Sequence, residues 1–106
     1  MKTYIICAAN HYDDGAEHVH QPKNIKTGFV VCGHRHHNCI MIFSIMVGFP
    51  YDEKGRALQD TEIQGFLTNT NEFVDRVEAR EIALKAGQLE GRKVHHETKL
   101  FSEDLY

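Results

Sequence analysis

The sequence has no basic excess, no cysteine framework and no long apolar run, and each absence removes a class of function. Twelve Lys and Arg stand against fifteen Asp and Glu, a formal net charge of −3 with the histidines neutral. A dedicated binder of duplex nucleic acid shows a basic surplus, so that partner is not expected. The three cysteines, Cys7, Cys32 and Cys39, are odd in number and widely spaced, which is not a disulfide scaffold. The longest apolar stretch falls far below the ~20 residues a membrane helix needs. The first residues lead into too short an apolar segment for a signal peptide. No membrane partner is expected, and the reading is a cytosolic protein with reduced thiols. Neither a Gly-x-Gly-x-x-Gly nor a Walker A pattern occurs, so standard dinucleotide-binding and nucleotide-hydrolysing folds are not indicated. There is no internal repeat and no low-complexity stretch.

What is present is ordinary globular material with one anomaly. At 106 residues, 42% hydrophobic and 25% charged, the chain makes a single domain, 1–106. Eight histidines are unusual. Protonating all of them would carry the formal charge from −3 to +5, so the surface field depends on pH near 6.

The chain is organised around residues 33–48. Gly33-His34-Arg35-His36-His37-Asn38-Cys39 is the densest cation-capable patch, and the apolar run 40–47 follows directly. A strand over 28–32 is expected to turn at Gly33 into a helix over 36–47, with Gly48 after its end and Pro50 stopping it. The β-branched Ile40, Ile42, Ile45 and Val47 support a competing strand. As a helix, Cys39, Ile42, Phe43 and Met46 share one face while Ile40, Met41 and Ile45 lie elsewhere. A helix apolar most of the way round needs cover on several sides. A second subunit is the expected cover, so the chain is read as a homo-oligomer.

Elsewhere the pattern gives strands over 3–9 and 63–67, a short return strand over 72–74, and a polar loop over 17–26 with His18 and His20 on one side by alternation. Residues 51–60 read as a charged loop carrying Gly55. Asp75 and Glu78 form a capping box. Ala79, Ile82, Ala83 and Ala86 make the buried stripe of the helix it starts, and Gly87 closes that helix. Arg76 and Arg80 sit one turn apart and require compensation by an anion or a tail carboxylate. Residues 88–98 read as a mobile polar connection. Phe101, Leu105 and Tyr106 are expected to dock. The fold class is α+β, a small antiparallel sheet packed by two helices.

Four chemistries compete for these residues. His18, His20, His34, His36, His37, Cys32 and Cys39 are competent metal ligands, but no ligand pair has metal-site spacing, so no metal or other cofactor is expected. Cys32 or Cys39 at a helix N-terminus would have a lowered pKa, although each also reads as a small core residue. Arg35, His36, His37 and Asn38 could donate to a phosphate at the helix start; equally, Arg35 could pair with the acidic tail. Phe66 and Phe73 flank a turn bearing Asn69 and Asn71, which suits stacking and edge recognition of a nucleobase; equally, both rings could be hairpin core.

Three segments carry a resemblance. They are 28–37, with Gly33-His34-Arg35-His36; 64–88, with Gln64-Gly65-Phe66 and Phe73-Val74-Asp75-Arg76; and the terminal Leu100-Phe101-Ser102-Glu103-Asp104-Leu105-Tyr106. Together they resemble the phage Thoeris anti-defence proteins of the first type. The resemblance implies a sponge in the host bacterial cytoplasm. Such a protein binds the glycocyclic ADP-ribose type of signal made by bacterial TIR enzymes without cleaving it, and some members also hold cyclic oligonucleotide signals. It implies no enzyme activity and assembly as a dimer or hexamer with pockets between subunits. By motif it carries over Arg35, His36, Phe66, Phe73, Asp75, Arg76 and 101–104. With the turn amides, the candidate ligand-binding set is Arg35, His36, Phe66, Asn69, Asn71, Phe73, Arg76 and Phe101. The alternative is a histidine- or metal-dependent hydrolase of a phosphorylated metabolite.

Overall fold

A computed structural model describes residues 2–48 and 53–106. In chain order it contains β1 (Ile5–Tyr12), β2 (Phe29–Gly33), α1 (His36–Val47), α2 (Glu53–Gln59), β3 (Ile63–Thr68), β4 (Phe73–Asp75), α3 (Arg76–Lys85) and a 3-10 turn at Ser102–Asp104. The strands form one antiparallel sheet in the order β2-β1-β3-β4. The class is α+β as expected, with three helices rather than two.

Alternation along β1 sends Ala8, Asn10 and Tyr12 to one face. Register places Val31 opposite Asn10, Phe66 opposite Ala8, and Val74 opposite Phe66 on that same face. Helices α1 and α3 cover it. Phe43 of α1 stacks on Tyr12 with ring centroids 3.8 Å apart. Ala79 and Ala83 of α3 are fully buried in the same core, where small side chains let the helix approach the strands closely. The segment 13–28 runs along the other face. Asn24 brackets the backbone of Phe73 with an N–H bond in each direction, and Lys23 N–H donates to the Asn71 carbonyl. Gly28 is required where this segment re-enters the sheet: its φ is +83°, and a Cβ there would stand 2.2 Å from the Tyr12 carbonyl oxygen.

The helix α1 has the expected limits, and the competing strand does not form. The face grouped in the sequence is split: Cys39 and Phe43 are buried, Ile42 and Met46 are not. His36, Cys39, Phe43 and Ser44 face inward, whereas Ile42 and Met46 are 41% and 57% exposed. The cause is His36, whose Nε2 meets the Gly65 carbonyl at 2.7 Å and fixes the rotation of the helix at its first residue. Pro50, expected to stop α1, lies outside the described residues. The charged loop expected over 51–60 instead contains α2, with Gly55 buried inside it. Its other residues are good helix formers, Glu53 stands in the first turn and Arg56 in the last, and these offset the roughly 1 kcal/mol that a helical glycine costs.

Three smaller expectations also changed. Strand β1 starts later and runs to Tyr12, because Asn10 and His11 find partners across the sheet. His18 and His20 do not form a pair; His18 bonds Asp14 at 2.7 Å and His20 adopts φ 61°. The 88–98 connection is tied down at its start: Gln88 accepts from Ile5 N–H and donates to the Ile5 carbonyl, and Leu89 is buried. Asp75 caps α3 by accepting from Glu78 N–H, as its capping pattern required. Among the described residues no helix is long and apolar enough to cross a membrane.

Candidate functional site

The head of α1 and the tail of the chain meet. Arg35 precedes α1 with extended backbone, so its side chain leaves the helix rather than running along it. Its Nη2 donates to the Tyr106 main-chain oxygen at 2.9 Å, and its Nη1 lies 3.6 Å from Glu103. The His34 ring meets the Tyr106 ring edge-on at 4.2 Å, and Tyr106 OH donates to the Ile6 carbonyl at 2.6 Å. These contacts are exposed, and Arg35 retains unused N–H groups.

Arg76 performs the matching task at the start of α3. Its Nη1 donates to the Leu100 carbonyl at 2.8 Å and its Nη2 to Gln64 Oε1 at 2.6 Å, while its Cζ lies 4.4 Å over the Phe101 ring. Partial burial lowers its pKa from the ordinary arginine value. Arg80 donates to the His96 carbonyl. Carbonyl oxygens, the Gln64 amide and an aromatic face make the direct contacts of this cationic pair, and the charges of the tail carboxylates Glu103 and Asp104 also favour Arg76.

A polar floor lies where the end of β1 pairs with the start of β3. Tyr12 OH donates to Glu62 Oε1 at 2.5 Å, Asn10 Nδ2 approaches the same oxygen at 3.4 Å, and Gln64 Nε2 donates to Glu62 Oε2 at 3.1 Å. Burial and then the Glu62 contact push the Tyr12 hydroxyl pKa up. Asn10 is fully buried and its Oδ1 has no partner, an arrangement that costs about 1–3 kcal/mol. His36 stands above this floor. Burial lowers its pKa, the bond to the Gly65 carbonyl opposes that, the Arg76 charge lowers it further, and Glu103 and Glu62 add to the opposition.

The eight candidate residues therefore divide. Arg35, His36, Arg76 and Phe101 gather around the tail. Phe66 is fully buried beneath the His36 ring edge. Phe73 is buried beside His11. Asn69 accepts from Tyr4 N–H and donates to the Lys2 carbonyl at the far end of β3. Asn71 is exposed with φ 62°. The turn amides are not brought to the arginines.

An open groove of about 560 Å³ lies beside Tyr106, lined by Tyr4, Ile6, Gln88, Arg92 and Leu105. Its size is that of small-molecule sites. Two tyrosine rings and a guanidinium border it, and Arg92 makes no ion pair among the described residues. Reading the sequence missed Arg92, Tyr4, Glu62, Gln64 and Asn10.

The thiols and histidines are arranged for other work. Cys39 is buried, and burial pushes its pKa up to about 12. Cys32 is exposed, and a hydrogen bond from Cys7 brings its pKa down to about 7. The lowering comes from a neighbouring thiol rather than from a helix N-terminus. His95 Nδ1 lies 2.5 Å from Asp104 Oδ1. Burial pushes the Asp104 carboxyl up, but the His95 ring and the backbone N–H groups of Phe101 and His95 bring it below the ordinary value. Among the described residues no three His, Cys, Asp or Glu side chains are placed to hold a metal ion.

The fold and the site define a small α+β protein whose tail is clasped by two arginines. The model of the phage T4 y16D protein family matches residues 4–106, and the chain belongs to that family of phage proteins. No curated protein and no solved structure matches it.

Proposed function

We propose that this protein is an anti-defence sponge of the Thoeris type, acting in the host bacterial cytoplasm. It binds a cyclic ADP-ribose-type signal of TIR enzymes and holds it without cleaving it. One observation carries the reading: the three segments of the resemblance converge. Arg35 of the first reaches Tyr106 of the third, and Arg76 of the second reaches Leu100 and covers Phe101. Two guanidinium groups with spare donors, an aromatic face and an adjacent groove of nucleotide dimensions suit a phosphorylated ligand bearing a base. His36 and Phe66 hold the frame beneath them. His18, His34 and His36 meet separate partners, Asp14, the Tyr106 ring and the Gly65 carbonyl.

The active form is proposed to be a homo-oligomer joined through α1, where Met41, Ile45 and Met46 stand 52%, 71% and 57% exposed. Incubation with cyclic ADP-ribose signals, followed by heat denaturation and analysis of the supernatant, tests the reading. Intact ligand recovered after depletion supports a sponge, converted product supports an enzyme, and no depletion refutes both.

A further inference from the structure

We infer that the bound nucleotide lies in the groove beside Tyr106, with Arg92 holding its pyrophosphate and the Tyr4 ring stacking on its base, an inference that rests on the sponge reading above. The walls of this groove are set before any ligand arrives, because most of their polar groups are already spent. The Gln88 amide is used in both directions on the Ile5 backbone. Tyr106 OH donates to the Ile6 carbonyl, and the Tyr106 main-chain oxygen accepts from Arg35. Tyr4 N–H donates to Asn69 Oδ1, and Asn69 N–H donates to the Tyr4 carbonyl. Ile5 and Leu105 line the groove as buried side chains.

Two polar side-chain groups of the lining stay unspent among the described residues, the Arg92 guanidinium and the Tyr4 hydroxyl. Arg35 and Arg76 both give donors to the tail. Arg92 gives none; only its main-chain N–H is used, on the carbonyl of the buried Leu89. The chain carries fifteen Asp and Glu against twelve Lys and Arg, yet no carboxylate pairs with this arginine among the described residues. Its planar fork matches two phosphate oxygens. Beside it Tyr4 and Tyr106 stand 44% and 39% exposed, and aromatic faces open to solvent suit a base. An uncharged aromatic molecule would leave the guanidinium unpaired, and inorganic phosphate would leave the rings in water. An anion joined to a flat aromatic body satisfies both, and a nucleotide is such a body.

The test uses the full chain and cyclic ADP-ribose. Calorimetric titration, beside a thermal melt, is run on the native protein and on Arg92→Ala, Arg92→Lys, Tyr4→Ala and Tyr4→Phe. Neither side chain makes a hydrogen bond among the described residues, so the variants are expected to melt near the native protein. Arg92→Ala should weaken binding about tenfold to a hundredfold, and Arg92→Lys should restore only part of the loss. Tyr4→Ala should weaken it about fivefold to a hundredfold, while Tyr4→Phe, which keeps the ring, should bind close to the native protein. A folded Arg92→Ala with native affinity overturns the inference and leaves the sponge intact. Tyr4→Phe as weak as a folded Tyr4→Ala overturns it as well. If Tyr4→Ala does not fold, the arginine variants decide alone. A native protein that binds no cyclic ADP-ribose removes both the inference and the sponge.

Discussion

Two helices lie on the same face of the sheet and obey different rules. Helix α3 is self-sufficient: Asp75 caps it, Glu78 and Lys85 complement its ends, and Ala79 and Ala83 fill its contact with the strands. Helix α1 has neither an acidic first turn nor a basic last turn, and it is apolar on nearly every side. It buries His36, Cys39, Phe43 and Ser44 and leaves Met41, Ile42, Ile45 and Met46 outside. A helix that serves only its own core places polar residues outward. The difference marks α3 as mainly scaffold, with Val77 and Leu84 its two exposed large apolar side chains. It also marks α1 as an element with two duties, one toward the sheet and one proposed toward a second subunit.

The strongest way to break this comparison is to charge each side of α1 in turn. Phe43→Asp sets a carboxylate against Tyr12 in the dry core, at a cost of several kcal/mol. The variant is expected to lack a cooperative thermal transition by circular dichroism. Ile45→Asp alters the opposite face, where a surface change costs within about 0.5 kcal/mol. That variant should melt near the native protein yet lose mass by light scattering. Equal collapse of both variants would abolish the distinction between the two sides.

The arginines sharpen the same contrast one level down. Arg76→Ala removes two hydrogen bonds from a charged group and a ring contact, and with partial exposure it is expected to cost about 2 kcal/mol in urea unfolding. Arg35→Ala removes an exposed pairing worth at most about 1 kcal/mol of stability. Its expected effect is on ligand affinity, a tenfold to hundredfold loss by calorimetric titration. Arg35→Lys should restore part of it, since a point charge cannot reproduce the planar fork. A lowered melt with unchanged affinity would assign Arg35 to the scaffold and move the phosphate contact to Arg76 or Arg92.

What the sequence disclosed follows the range of the interactions involved. The limits of α1 and the cap of α3 are local, written in a glycine after the last turn and in an Asp-x-x-Glu spacing. The docking tail was legible because Leu105 and Tyr106 are out of place in a free end. Helix α2 was hidden by Gly55 and by charges that also suit a loop. The polar floor could not be read at all. Asn10 and Tyr12 acquire their meaning only from Glu62 and Gln64, about fifty residues away, through the pairing of β1 with β3. The rotation of α1 was hidden for a related reason, since a bond from His36 to the distant Gly65 carbonyl decides it.

His36 also carries the smallest expected effect. The folded protein holds His36 with its pKa lowered from the ordinary 6.5, chiefly by burial and then by the Arg76 charge. In the unfolded chain the ring takes a proton near 6.5, so in the window just below that pH the unfolded state binds more protons than the folded one. Stability then rises with pH. The contribution is complete above 6.5 and is lost as the pH falls. The depressed carboxyl of Asp104 acts the same way, but only below its ordinary value of 3.8. Urea unfolding at pH 7.5 and 5.5 separates the two. The native protein should lose no more than about 1.4 kcal/mol per pH unit through His36. His36→Gln has no titrating ring at this position and should shed that share of the slope. An unchanged slope in this variant would show that other histidines carry the pH dependence and that His36 acts only as the pin that sets the rotation of α1.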